Sequence, residues 1–126
     1  MDTALKVGDL MTRNFTHVPP ETSLQDCAKI MIKNKVGSLV ITENKKLRGI
    51  LTEKDIVWAV SKSPAKDFSE IKVQDIMTKK VTTIKPGADI TQAIKKFKTK
   101  KVRRLPVVEK NKLIGLITTT DILRMD

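Results

Sequence analysis

The chain has 126 residues, 40% hydrophobic and 31% charged, a balance that suits one compact domain or two very small ones rather than a disordered tail. Lys and Arg number 25 against 14 Asp and Glu, a net charge of +11, which favours anionic partners (nucleotides, nucleic acid, acidic protein surfaces) without choosing among them, and which also suits a merely solvated surface. A single cysteine, Cys27, and a single histidine, His17, exclude a disulfide framework and a Cys/His zinc site, and the short apolar runs exclude a membrane span.

No signal-peptide stretch opens the sequence, so a reduced, cytoplasmic location is expected. Aromatics are only 3%, so the core must be aliphatic. In chain order, VGDLMT from Val7 is followed by an extended piece, Phe15–Val18, that ends at Pro20. Leu24, Cys27, Ala28 and Met31 then recur at helical spacing, with Ser23 and Asp26 as a capping pair. Two short strands, SLVIT and LRGILT, flank a polar turn, and a second helix starts near Thr52.

The same order then returns. Residues 7–60 align with residues 73–126 at a constant offset of 66, without a gap and with 17 identities, where average residue usage gives about three by chance. VQDIMT from Val73 repeats VGDLMT, and Val81–Ile84 repeats the extended piece. Ile90, Ala93, Ile94 and Phe97 form the helical stripe behind an Asp89/Gln92 capping pair, and RLPVVE and LIGLIT are the strands. Residues 61–72 form a polar connector with one proline. The expected class is α+β: two β-α-β-β-α repeats. A unit of 54 residues buries too little surface alone, and its strands are apolar on nearly every residue. Each repeat therefore needs the other, which predicts sheet packed on sheet about a pseudo-twofold axis.

The chemistry concentrates at the start of the second helix. Gly49, Thr52 and Asp55 form Gly-x-x-Thr-x-x-Asp, and Gly115, Thr118 and Asp121 repeat it. A capping box explains Thr-x-x-Asp without any ligand. The same geometry also suits one: helix N–H groups and a hydroxyl can receive phosphate, and a carboxylate can accept hydrogen bonds from two vicinal ribose hydroxyls. The glycine would let backbone come close.

Two copies of DLMT or DIMT, a following proline, VGSLVIT or VRRLPVVE, and GILTEKDIV or GLITTTDIL together resemble a tandem pair of CBS domains, a Bateman module, over about residues 5–126. With nothing left for a catalytic domain, the chain resembles the stand-alone members: repeat one at 7–60, linker at 61–72 and repeat two at 73–126. The resemblance implies a non-catalytic regulatory or sensor role without a cofactor. The expected ligand is an adenosine nucleotide (AMP, ADP or ATP) or a related adenosyl metabolite, held in clefts between the copies. A homodimer shaped as a flat disk and an unidentified protein target are implied as well.

By the same resemblance, Asp55 and Asp121 hold ribose hydroxyls, and Thr52 and Thr118 contact phosphate. Thr16, His17 and Val18, with Thr82, Thr83 and Ile84, face the base largely through backbone. Gly37 and Ser38, with Arg103 and Arg104, stand where phosphate contacts are placed. The copies differ there, since only the second offers guanidinium groups. His17 could equally sit at a strand edge, and Cys27 lies on the buried stripe. Trp58 and Ile56 suit either internal packing or a dimer seam. Ile30 and Ile32, replaced by Lys96 and Lys98 in the second copy, hint at an extra covered face. Residues 7–60 carry 8 basic and 6 acidic side chains, residues 73–126 carry 13 and 5, and seven of the ten residues Lys95–Arg104 are basic. That run is a solvated face, an anion-attracting cleft mouth or a nucleic-acid contact; the scarcity of aromatics argues against single-strand recognition. The alternatives to a nucleotide sensor are therefore a nucleic-acid binder using Lys95–Arg104 and an interaction adaptor with vestigial clefts. No nucleophile–base pair, metal cluster or glycine-rich phosphate loop points to an enzyme.

Overall fold

The structure, a computed structural model, describes residues 5–62 and 67–124; the connector's Pro64 lies outside them. The chain divides into two compact units whose boundaries cut across the sequence repeats: Thr16–Lys80, and Met1–Phe15 with Val81–Asp126.

In the first of these, β1 (His17–Val18) runs parallel to β2 (Ser38–Glu43), which pairs antiparallel with β3 (Lys46–Thr52). Asn44 and Lys45 both take positive φ, 54° and 66°, the conformation that closes a two-residue hairpin. The predicted stripe becomes α2 (Leu24–Asn34), capped by the Ser23 hydroxyl, which accepts from the Asp26 N–H at 3.0 Å. Leu24, Cys27 and Met31 are buried against Leu39, Ile41 and Leu51, and Ala59 of α3 (Glu53–Lys62) joins them. Val40 and Ile50, alternating with these, are buried too, so both faces of the strands are withdrawn from solvent.

The second unit repeats the plan with β4 (Arg104–Glu109), β5 (Lys112–Thr118), α4 (Ile90–Lys100) and α5 (Thr119–Leu123). Ile90, Ala93 and Phe97 face Leu105, Val107 and Ile117, and a complete capping box links Asp89 and Gln92. The expected first strand, Val81–Ile84, is reduced to one parallel bridge between Ile84 and Val107. In the first copy the Val40 N–H donates to the Thr16 carbonyl at 3.3 Å. The second copy has Pro106 at that position, which has no N–H to give, so the ladder stops one rung short.

The two DxMT segments exchange places. Val7 and Met11, the former in α1 (Val7–Leu10), belong to the core of the unit built from the second copy. Val73, in the short 3-10 turn Val73–Asp75, and Met77 belong to the core built from the first. Thr78 pairs with Ile50 through two backbone hydrogen bonds of 2.9 and 3.0 Å, and Thr12 pairs with Leu116 at 2.8 and 2.9 Å. Each segment thus caps the free edge of the GILT or GLIT strand of the opposite copy. The connector also takes part: Phe68 and Ile71 pack against the core, and their carbonyls accept from Gln25 and Leu24.

This exchange gives Gly49 and Gly115 their reason. A Cβ on Gly49 would lie 2.6 Å from the Met77 sulfur, and one on Gly115 would lie 2.5 Å from that of Met11. The glycines also admit backbone, since the Thr78 carbonyl oxygen would lie 2.8 Å from a Cβ on Gly49 and the Thr12 carbonyl oxygen 3.3 Å from one on Gly115. It is the exchanged DxMT segment, main chain and methionine together, that comes close.

Candidate functional site

In the unit Thr16–Lys80, three segments meet where β2 begins and β3 ends. Ser38 stands opposite Thr52 in the ladder, and the Glu53 N–H donates to the Gly37 carbonyl at 3.3 Å. Gly37 and Ser38 therefore lie against the first turn of α3. The Thr52 N–H and hydroxyl both donate to Asp55 Oδ2, at 2.8 and 3.2 Å. Thr16 enters beside the same strand through its carbonyl, bonded to Val40. Val18 is buried in the core, so it offers only backbone. His17 is exposed, and its Nδ1 lies 3.2 Å from the Thr42 hydroxyl, toward the far end of β2 from Ser38.

The other unit brings together the matching residues. Arg104 stands opposite Thr118, and the Thr119 N–H donates to the Arg103 carbonyl at 2.9 Å. The capping box is complete: the Thr118 N–H donates to Asp121 Oδ2 at 2.8 Å, and the Asp121 N–H donates to the Thr118 hydroxyl at 3.2 Å. The Thr12 hydroxyl also donates to Asp121 Oδ1 at 3.4 Å. Thr82 and Thr83 are half-buried and Ile84 is buried. The Thr83 carbonyl already accepts from Lys96 Nζ at 2.7 Å.

Sequence reasoning missed Thr12 and Lys96 as neighbours of this site. The repeated MT pair was visible, but its destination in the opposite copy was not. Lys96 stands out in the sequence as the residue replacing Ile30 and as part of the basic run Lys95–Arg104, but nothing local shows that its ammonium reaches the Thr83 carbonyl. Cys27 is buried, and burial with the nearby Asp26 pushes its thiol up to about 11. It stays protonated at neutral pH and is no nucleophile. Each helix start thus carries a threonine hydroxyl and a half-buried carboxylate able to accept from a diol. The Thr118 hydroxyl accepts from the Asp121 N–H and keeps its hydrogen for an anion, whereas the Thr52 hydroxyl donates to Asp55 and must turn from it to meet one.

The sequence matches the family described as CBS domain twice, over residues 7–62 and 73–126. The chain belongs to the CBS-domain family. Among curated relatives, the uncharacterized protein MK0525 of Methanopyrus kandleri is 36% identical over 98% of this chain and 63% of its own length. A protein of Methanococcoides burtonii named homoserine O-acetyltransferase is 37% identical over 98% of this chain, but only 24% of that relative is spanned. The chain thus covers less than two thirds of these relatives, and in the acetyltransferase only the CBS part aligns. Among solved structures, a putative acetoin utilization protein (AcuB) from Vibrio cholerae superposes with a TM-score of 0.87 at 30% identity, covering 95% of this chain and 88% of that one. CBSX2, solved in complex with AMP, gives 0.84 at 28% identity, covering 96% and 95%. This CBS pair shares the mixed α+β architecture of those proteins, and among its described residues no helix is long and apolar enough to cross a membrane.

Proposed function

We propose that this CBS pair is a non-catalytic sensor whose ligand is an adenosine nucleotide or a related adenosyl compound. One observation carries the reading. In both units the residues where β2 or β4 begins are held by backbone pairing against a Thr–Asp helix start, the first with Gly37 and Ser38, the second with Arg103 and Arg104. Asp55 and Asp121 supply the acceptors for a ribose diol, and Thr52 and Thr118 supply hydroxyls for phosphate. The AMP complex of CBSX2 supports this chemistry in a relative. Ligand binding shifts the population of conformers that a protein target reads.

Isothermal titration with AMP, ADP, ATP, S-adenosylmethionine and NAD tests the proposal. At least one is expected to bind in the micromolar-to-millimolar range. Silence from all of them at millimolar concentration leaves an adaptor with vestigial sites.

The same reading makes the molecule a homodimer. Ile30 and Ile56 pack internally, whereas Ile32, Val57 and Trp58 are 79%, 67% and 55% exposed and are the side chains proposed for the seam. Sedimentation velocity measures the mass directly.

A further inference from the structure

The basic run Lys95–Arg104 is not one surface. Lys95, Lys96 and Lys100 line a groove of about 1240 Å³ along α4, together with Lys85 from the segment before α4 and Lys110 from the β4–β5 turn. Lys98, Lys101, Arg103 and Arg104 are outside it. So are Thr118 and Asp121, although Thr83 and Ile84 contribute to its wall. Against five ammonium groups the lining holds one carboxylate, Glu109.

The first copy serves as an internal control, because it builds the same elements without this charge. The five lysines correspond to Pro19, Lys29, Ile30, Asn34 and Asn44, so only one is a lysine in both copies. At the positions of Gly87 and Gln92 the first copy has Glu21 and Asp26. The fold therefore does not require the ammonium groups. Lys110 even stands at φ 52°, in a turn position where Asn44 of the first copy is the better-suited residue.

We propose that this groove binds the phosphodiester backbone of a nucleic acid without reading its bases. Its lining has no aromatic side chain for base stacking and no arginine for bidentate contact with guanine. Lysine is a point charge that suits phosphate oxygens, and contacts to phosphate carry no sequence information. From Gln92 to Lys100 the helix runs about 12 Å, and a duplex strand presents a phosphate about every 3.4 Å of its axis. Lysines spread over that length match a run of phosphates along a strand, whereas a single small anion leaves most of them unmatched.

Fluorescence anisotropy of a short labelled duplex, titrated between about 50 and 200 mM salt, provides the test. Binding is expected to weaken steeply with salt in the intact protein. The triple variant Lys95→Gln, Lys100→Gln, Lys110→Asn is expected to flatten the log–log slope by about three, roughly one unit per lysine. A control with the same charge change in the other unit, Lys33→Gln, Lys46→Gln, Lys79→Gln, should keep the steep slope. Equal flattening by both triples reduces the effect to net charge and overturns the proposal, as does absence of binding at the lowest salt. Tighter binding of a glutamate polymer than of the duplex overturns it in favour of an acidic protein segment. The groove triple should bind adenosine nucleotides like the unmodified protein. If it loses them, the groove belongs to the nucleotide site and the proposal fails, while the sensor reading stands.

Discussion

Asp55 and Asp121 occupy one position of the repeat, yet their carboxylates are held differently. Asp55 uses Oδ2 for both the backbone and the hydroxyl of Thr52, while Asp121 binds the Thr118 N–H through Oδ2 and the Thr12 hydroxyl through Oδ1. The proposed sensor predicts that Asp121→Ala weakens nucleotide binding more than Asp55→Ala, because only the second copy offers guanidinium groups, Arg103 and Arg104, where the first has Gly37 and Ser38. Calorimetry on both variants checks the ranking, and equal losses reject it. Each substitution also removes a capping partner, a cost of about 1 kcal/mol, so melting temperatures must be compared alongside. The capping pairs were legible in the sequence because an i, i+3 geometry is local. The purpose of Gly49 and Gly115 was not, because the methionines that fill their space come from the opposite copy's segment.

At the level of elements, helical periodicity and turn chemistry placed α2, α4 and both hairpins. What they could not weigh was a missing donor, Pro106, that trims the first strand of the second copy to a bridge. Nor did the polar composition of residues 61–72 announce Phe68 and Ile71 as core residues. The exchanged DxMT segments carry a prediction. The fragment 16–80 should unfold cooperatively on heating, followed by circular dichroism, whereas the fragment 7–60 should be poorly folded or self-associating. The latter lacks Val73 and Met77, whose burial is worth about 1.5–3 kcal/mol each, against a total stability of about 3–10 kcal/mol for a domain of this size. A fragment 7–60 that melts as high as 16–80 would show that the exchanged segment contributes little.

Across the whole molecule, the two copies have diverged in opposite directions on one scaffold. The first copy keeps Ile32, Val57 and Trp58 exposed, while the second has Lys98, Leu123 and Arg124 at those places and gathers the lysine groove. The proposed dimer predicts a sedimenting mass of twice the chain for the unmodified protein and of one chain for Trp58→Glu. A monomeric unmodified protein removes that proposal.

The amino-acid sequence by itself determined the doubled architecture, the order of elements, the capped Thr–Asp helix starts and the unequal charge of the copies. All of these follow from spacing within a few residues or from a constant offset between matched residues. Tertiary structure alone decided where each DxMT segment docks, what the two glycines accommodate, and which lysines of one basic run share a groove. The reason is physical: two similar copies offer each segment two similar cradles, and only the folded path of the chain between distant positions selects one.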